Sequence, residues 1–185
     1  PPEKDNDYKM RIFNSDGSEA EMCGNGIRCF AHFLYEENII KKNIINVETL
    51  AGIITPEIIK NDDKISQVKV DMGTPHFKPD EIPVKIDKDI DYIKDYKIRA
   101  NKTDFYVSCV SMGNPHTIIF DEDIEKYNIA KYGSIIEKMN IFPEKTNVEF
   151  IEIIKRSEIK MKVWERGAGI TLACGTGACA AVAAG

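Results

Sequence analysis

The chain has 185 residues, 43% of them hydrophobic and 30% charged, with a formal net charge of −5. This is an ordinary soluble globular composition, long enough for one large domain or two small ones, and its acidic balance argues against a nucleic-acid partner. No apolar run reaches the roughly 18 residues that span a bilayer. The polar opening stretch is no signal peptide, so a cytoplasmic location without membrane partners is expected.

In chain order, Met10, Ile12 and Asn14 alternate with Arg11 and Phe13, a strand pattern. After Cys23-Gly24-Asn25-Gly26, residues Ile27, Phe30, Ala31 and Leu34 fall at i, i+3, i+4 and i+7, one stripe of a helix. Segments 44–48, 53–59 and 65–72 are rich in Ile and Val and bounded by turn residues, as strands are. The polar run Asn61-Asp62-Asp63-Lys64 is expected to be the crossing between two units, residues 1–66 and 67–185. Segments 105–111, 117–120 and 148–154 read as further strands, and 124–127 and 130–138 as short helices. Next, Ile159, Met161 and Val163 alternate with Lys160 and Lys162. A second turn, Cys174-Gly175-Thr176-Gly177, then precedes small helical residues beginning Ala178, Ala181 and Val182.

Laid on itself at an offset of 151 residues (174 − 23), the chain repeats. Lys9-Met10-Arg11-Ile12-Phe13 falls on Lys160-Met161-Lys162-Val163-Trp164, and Met22-Cys23-Gly24-Asn25-Gly26 falls on Ala173-Cys174-Gly175-Thr176-Gly177 without a gap. Each copy reads as strand, connection, Cys-Gly-x-Gly turn and helix. The fold class expected is α/β (α+β), two similar units each built around a helix. Gly185 corresponds to Leu34, inside the first helix, so the natural protein is expected to extend beyond this chain.

Five cysteines, at 23, 29, 109, 174 and 179, are an odd number with no C-x-x-C pair. That argues against a disulfide scaffold and against a structural zinc site. Cys29, Cys109 and Cys179 read as packing residues. Cys23 and Cys174 differ because each stands just before a glycine at a helix start, where unpaired N–H groups and the dipole favour a thiolate. The same N–H groups, cleared by Gly24, Gly26, Gly175 and Gly177, suit a carboxylate. Inverting an amino-acid α-carbon needs a base on one face, an acid on the other and a cradle for carboxylate charge. Two such turns supply all three without a cofactor or metal.

At these residues the chain resembles diaminopimelate epimerase, which converts the LL to the meso substrate in lysine biosynthesis. The resemblance rests on Phe13-Asn14-Ser15-Asp16-Gly17-Ser18-Glu19 through Met22-Cys23-Gly24-Asn25-Gly26-Ile27-Arg28-Cys29, and on Gly113-Asn114-Pro115-His116. It continues through Thr146-Asn147-Val148-Glu149-Phe150, Glu165-Arg166-Gly167-Ala168-Gly169 and Ala173-Cys174-Gly175-Thr176-Gly177-Ala178. It implies that Cys23 and Cys174 are the acid–base pair and that no pyridoxal phosphate or metal takes part. Asn14, Asn114, Asn147 and Arg166 match positions binding the distal end of the substrate. The amides around Gly24-Asn25 and Gly175-Thr176 match those holding the reacting carboxylate. Glu165 matches an acid near the substrate ammonium and one thiol, and His116 a partner of the other thiol. The implied fold is pseudo-symmetric, two curved sheets or barrels around central helices with the site in a cleft, and a homodimer is compatible with it. The family's glycine-rich N-terminal segment and C-terminal strands have no counterpart here.

One departure is Ile170, where relatives commonly have Glu. Three other readings stand beside this one. The proline racemase and hydroxyproline epimerase group shares the paired turns, but typically carries His at the place of Asn25 and lacks Glu165-Arg166. A non-catalytic carboxylate-binding module, and a redox switch through Cys23 and Cys174, are the others.

Overall fold

Strand pairing divides the chain into two units, Pro1–Gly73 and Thr74–Gly185, in a computed structural model that describes residues 2, 6–13, 17, 19–62, 64–86 and 90–185. The first unit holds β1 (Tyr8–Lys9), β2 (Ile12–Phe13), β3 (Glu19–Ala20), α1 (Gly24–Glu36), β4 (Val47–Thr49), β5 (Gly52–Ile54), β6 (Glu57–Asn61) and β7 (Lys64–Lys69). The strand expected over 9–13 is two short strands in different sheets: β1 pairs in parallel with β4, and β2 pairs with β3. The strand expected over 53–59 is cut at Thr55-Pro56, where proline offers no N–H to a ladder. The polar run 61–64 does not cross between units. The strands on either side of it, β6 and β7, pair as a hairpin, with Asn61 opposite Lys64 and Asp62 at φ 49°, while Asp63 lies outside the described residues. β7 therefore runs through residues 66 and 67, and the units part after Gly73.

Helix α1 buries the stripe read from the sequence. Ile27, Ala31 and Leu34 join Met22, Ile40, Ile45, Val47 and Ile58 in one core, with Phe30 at its margin. The helix ends where Asn38 takes a left-handed conformation, φ 56°, a frequent exit for asparagine.

The second unit contains β8 (Tyr96–Ala100), β9 (Thr103–Ser111), β10 (Pro115–Phe120), α2 (Ile129–Ile136), β11 (Asn147–Lys155), β12 (Glu158–Glu165), β13 (Gly169–Thr171) and α3 (Gly175–Ala184). Its sheet has the order β13-β12-β11-β10-β9-β8 and is antiparallel except for β10 and β11. Residues 124–127, expected to be helical, form an irregular turn, and α2 begins after Asn128, whose side chain accepts the Lys131 amide at 3.0 Å.

Both faces of the central part of this sheet, around β9, β10 and β11, carry buried residues. Phe105, Val107, Ile119, Val148 and Phe150 point into a core with Ile136 and Phe142. The alternate residues Val110, His116, Ile118, Glu149 and Ile151 are buried as well, on the face that receives α3 through β9, β10 and β11. Among the described residues no helix is long and apolar enough to cross a membrane.

Candidate active site

The repeat seen in the sequence is a repeat of structure. In β2–β3, Ile12 stands opposite Ala20 and Phe13 opposite Glu19. In β12–β13, Val163 stands opposite Thr171 and Trp164 opposite Ile170. Each second pair is the first moved by 151 positions (163 − 12, 171 − 20). Each hairpin leads into a cysteine that caps a helix. Cys23 has φ −136° and ψ 107°, and its Sγ accepts the Gly26 N–H at 3.2 Å. Cys174 has φ −123° and ψ 117°, and its Sγ accepts the Gly177 N–H at 3.4 Å. A sulfur thus fills the role usually held by a Ser or Asp oxygen.

The departure at Ile170 has a local consequence. Its counterpart Glu19 binds Arg11 through two contacts, at 2.9 and 2.8 Å. Ile170 is exposed and offers no charge to Lys162, the counterpart of Arg11, which pairs with Glu125 outside the hairpin. The Glu125 carboxyl, held by Lys162 and Lys160, falls to about 2.

Around the second turn, five of the residues singled out in the sequence make defined contacts. Asn147 is buried. Its Oδ1 accepts the Arg166 N–H at 2.9 Å and its Nδ2 donates to the Pro115 carbonyl at 2.9 Å, joining the loop before β10 to the Glu165-Arg166 turn. Among the described residues the second Nδ2 hydrogen has no partner. The Arg166 guanidinium donates to the Glu144 carbonyl at 3.2 Å. Glu165 makes a short hydrogen bond with the Thr171 hydroxyl across the hairpin. His116 is fully buried, with Nε2 2.9 Å from Asn114 Oδ1 and Nδ1 2.7 Å from Glu149 Oε1. Asn114 is half-buried at the mouth of this chain of contacts.

The second thiol is held protonated. Burial pushes Cys174 up to about 12, and the negative charges of Glu149 and Glu165 act in the same direction. Hydrogen bonds from the Thr176 hydroxyl, 3.4 Å away, and from Gly177 N–H oppose the shift without cancelling it. The helix start was expected to lower this thiol; in this unit desolvation outweighs the backbone donors.

In the first unit Gly24 is buried, and Asn25 Oδ1 accepts from the Arg28 guanidinium one turn on. Asn14 lies outside the described residues. Gly175 and Thr176 open α3, with Thr176 buried. The other cysteines are free, Cys29 exposed and Cys109 buried. His32 and His76 are half-exposed and stand 3.5 and 3.6 Å from Glu36 and Glu81. Among the described residues no group of three or more His, Cys, Asp or Glu side chains is disposed to hold a metal ion.

Two buried carboxylates were not singled out in the sequence. Glu149 sits beneath the first turn of α3. Glu137, just past α2, accepts Trp164 Nε1–H at 2.8 Å and the Gly167 N–H at 3.3 Å, fixing the far side of the Glu165-Arg166 turn. A glutamate flanked by Val148 and Phe150 reads as the wet side of a half-buried strand. The signal that could have found it is the apolar run in the neighbouring segment, Pro115-His116-Thr117-Ile118-Ile119, which has no wet side either.

By sequence, residues 1–78 and 108–185 match the model of the diaminopimelate epimerase family. The chain belongs to that family. A diaminopimelate epimerase from Halothermothrix orenii is 58% identical over 100% of this chain and 66% of its own length. One from Acetivibrio thermocellus is 49% identical over 99% of this chain and 65% of its own. The chain therefore spans about 65% of the length of these curated relatives. Among solved structures, a probable proline racemase from Agrobacterium radiobacter K84 superposes with a TM-score of 0.74 at 16% identity, over 99% of this chain and 57% of that one. A hydroxyproline epimerase from Agrobacterium vitis superposes with a TM-score of 0.71 at 14% identity, over 95% and 53%. At such identities these two show a shared mixed α/β fold. Both Cys-Gly-x-Gly turns, and every site candidate named above, lie inside the ranges matched to the diaminopimelate epimerase family.

Proposed function

We propose that this protein epimerises diaminopimelate, interconverting its LL and meso forms for lysine and peptidoglycan precursor synthesis in the cytoplasm, with Cys23 and Cys174 as acid and base. The observation that carries the reading is the equivalence of the two turns, each a hairpin of the same register ending in a thiol that caps a helix. Inversion needs a proton taken from one face of the α-carbon and another delivered to the opposite face. Cys174, kept as a thiol by its burial, is the donor, and Cys23 takes the proton. In the reverse direction the roles exchange. The backbone N–H groups of Gly24-Asn25 and Gly175-Thr176 hold the reacting carboxylate and the charge that develops on it. Arg166 grips the distal carboxylate, with Asn14, Asn114 and Asn147 beside it. Glu165 meets the ammonium group, and His116 assists a thiol.

The test is α-hydrogen exchange. In deuterated water the protein is expected to place deuterium at the α-carbon of LL-diaminopimelate and to produce the meso form, and Cys23→Ser and Cys174→Ser each abolish both. Binding without any exchange would leave only a carboxylate-binding module. A Cys174→Ser variant with full turnover would end the symmetric roles, and turnover of proline but not of diaminopimelate would reverse the choice of substrate.

A further inference from the structure

Glu149 occupies the middle of an apolar strand, and its side chain is fully buried. Oε1 meets His116 Nδ1 at 2.7 Å, while Oε2 has no hydrogen-bond partner among the described residues. The parallel register sets His116 opposite Asn147. Glu149, two residues on, therefore shares its face as a diagonal neighbour. Helix α3 closes over the carboxylate so tightly that a Cβ on Gly177 would stand 2.5 Å from Oε1. A buried carboxylate with half its acceptors unused destabilises a fold rather than supporting it. Its one partner among the described residues is the imidazole.

We propose that Glu149 is the positioning residue of His116, accepting the hydrogen bond of Nδ1–H so that Nε2, hydrogen-bonded to Asn114, is the ring nitrogen that takes a proton from the assisted thiol and returns it. The inference rests on the reading above, in which His116 assists a thiol. A buried carboxylate that fixes tautomer and ring rotation serves hydrolytic triads in the same way. With Nδ1–H committed to Glu149, Nε2 has two states. Protonated, it donates to Asn114 Oδ1, 2.9 Å away. Unprotonated, it accepts from the Asn114 amide turned by half a revolution. The Asn114 side chain thus follows the proton on His116. The second glycine of the Cys174 turn also acquires a role: it leaves room for the Glu149 carboxylate.

Long-range proton–nitrogen NMR of the histidine rings tests this without reference to turnover, because the chain has 3 histidines and two of them are half-exposed references. His116 is expected to show a slowly exchanging Nδ1–H. In Glu149→Gln that signal is lost or shared with an Nε2–H form, while His32 and His76 keep theirs. In the α-hydrogen exchange assay, kcat falls at least about tenfold with KM within about twofold, as expected for a misplaced proton carrier. Glu149→Asp, which keeps the charge, recovers part of the Nδ1–H signal and of kcat, and serves if Glu149→Gln fails to fold. A parent protein with the His116 proton on Nε2, or a folded Glu149→Gln with unchanged ring signals and kcat, overturns the assignment. If the parent lacks exchange activity but the ring signals respond, the epimerase reading fails and the Glu149–His116 assignment stands.

Discussion

Replacing Gly177 by alanine puts a methyl group where the Glu149 carboxylate already is. The new Cβ would lie 2.5 Å from Oε1 and 3.2 Å from Cγ and Cδ. Reaching an ordinary 3.4 Å contact requires a retreat of about 0.9 Å (3.4 − 2.5), which would stretch the 2.7 Å contact with His116 beyond hydrogen-bond range. Overpacking contributes about 1–3 kcal/mol and the lost charge-assisted hydrogen bond about 1.5–3, against roughly 1 regained from alanine's helix propensity. The expected destabilisation is about 2–4 kcal/mol. Urea unfolding followed by Trp164, the chain's one tryptophan and a residue of the same unit, measures it. Gly26→Ala, in the first unit and followed by circular dichroism, is the control, since among the described residues its Cβ meets only Cys23 Cβ and Sγ, each at 3.3 Å, and it should lose less than about 1 kcal/mol. In a Glu149→Ala background the added methyl enters vacated space, so the two substitutions should couple by at least about 1.5 kcal/mol. A Gly177→Ala protein as stable as its parent, or additive with Glu149→Ala, would refute the packing argument.

Alkaline pH offers a second test. Burial lifts Cys109 and Cys174 to about 12 against an ordinary 9.0, so above pH 9 the unfolded chain binds fewer protons than the folded one, and stability falls as pH rises. The slope is about 1.4 kcal/mol per pH unit for each thiol, up to about pH 12. Denaturant titrations from pH 8 to 10.5 should show a shallower decline in Cys109→Ala and Cys174→Ser, and parallel curves would contradict it. Glu137→Ala should destabilise by about 2–3 kcal/mol by stripping Trp164 Nε1 and Gly167 N–H of their acceptor. It should shift Trp164 emission and speed hydrogen exchange at Gly167, whereas Glu137→Gln, which keeps one acceptor, loses less. Unchanged exchange at Gly167 would show that Glu137 does not hold the turn.

The parts of the site written in local sequence were legible. The Cys-Gly-x-Gly turns landed on helix starts, and Ile27, Ala31 and Leu34 formed the buried stripe, because both features are set within a few residues. The break at Pro56 is hidden because the Ile-rich segments on either side look continuous, and the hairpin at Asp62 reads as a crossing because a tight turn and a linker share the same polar composition. Glu149 and Glu137 were missed because their meaning comes from partners at distant positions. A glutamate's burial depends on whether α3 covers that face of the sheet. The raised thiol at Cys174 was misjudged likewise, since a helix start is visible in sequence but the depth at which it is packed is not.

The parallel pairing of β10 with β11 bears on how the second unit reaches its folded form. Parallel neighbours cannot be joined by a tight turn, so residues 121–146, with α2 among them, must cross over before His116 and Glu149 meet. Such distant pairings form only after the entropy of closing a long loop has been overcome. Substitutions beneath α3 are therefore expected to accelerate unfolding while leaving the rate of folding almost unchanged.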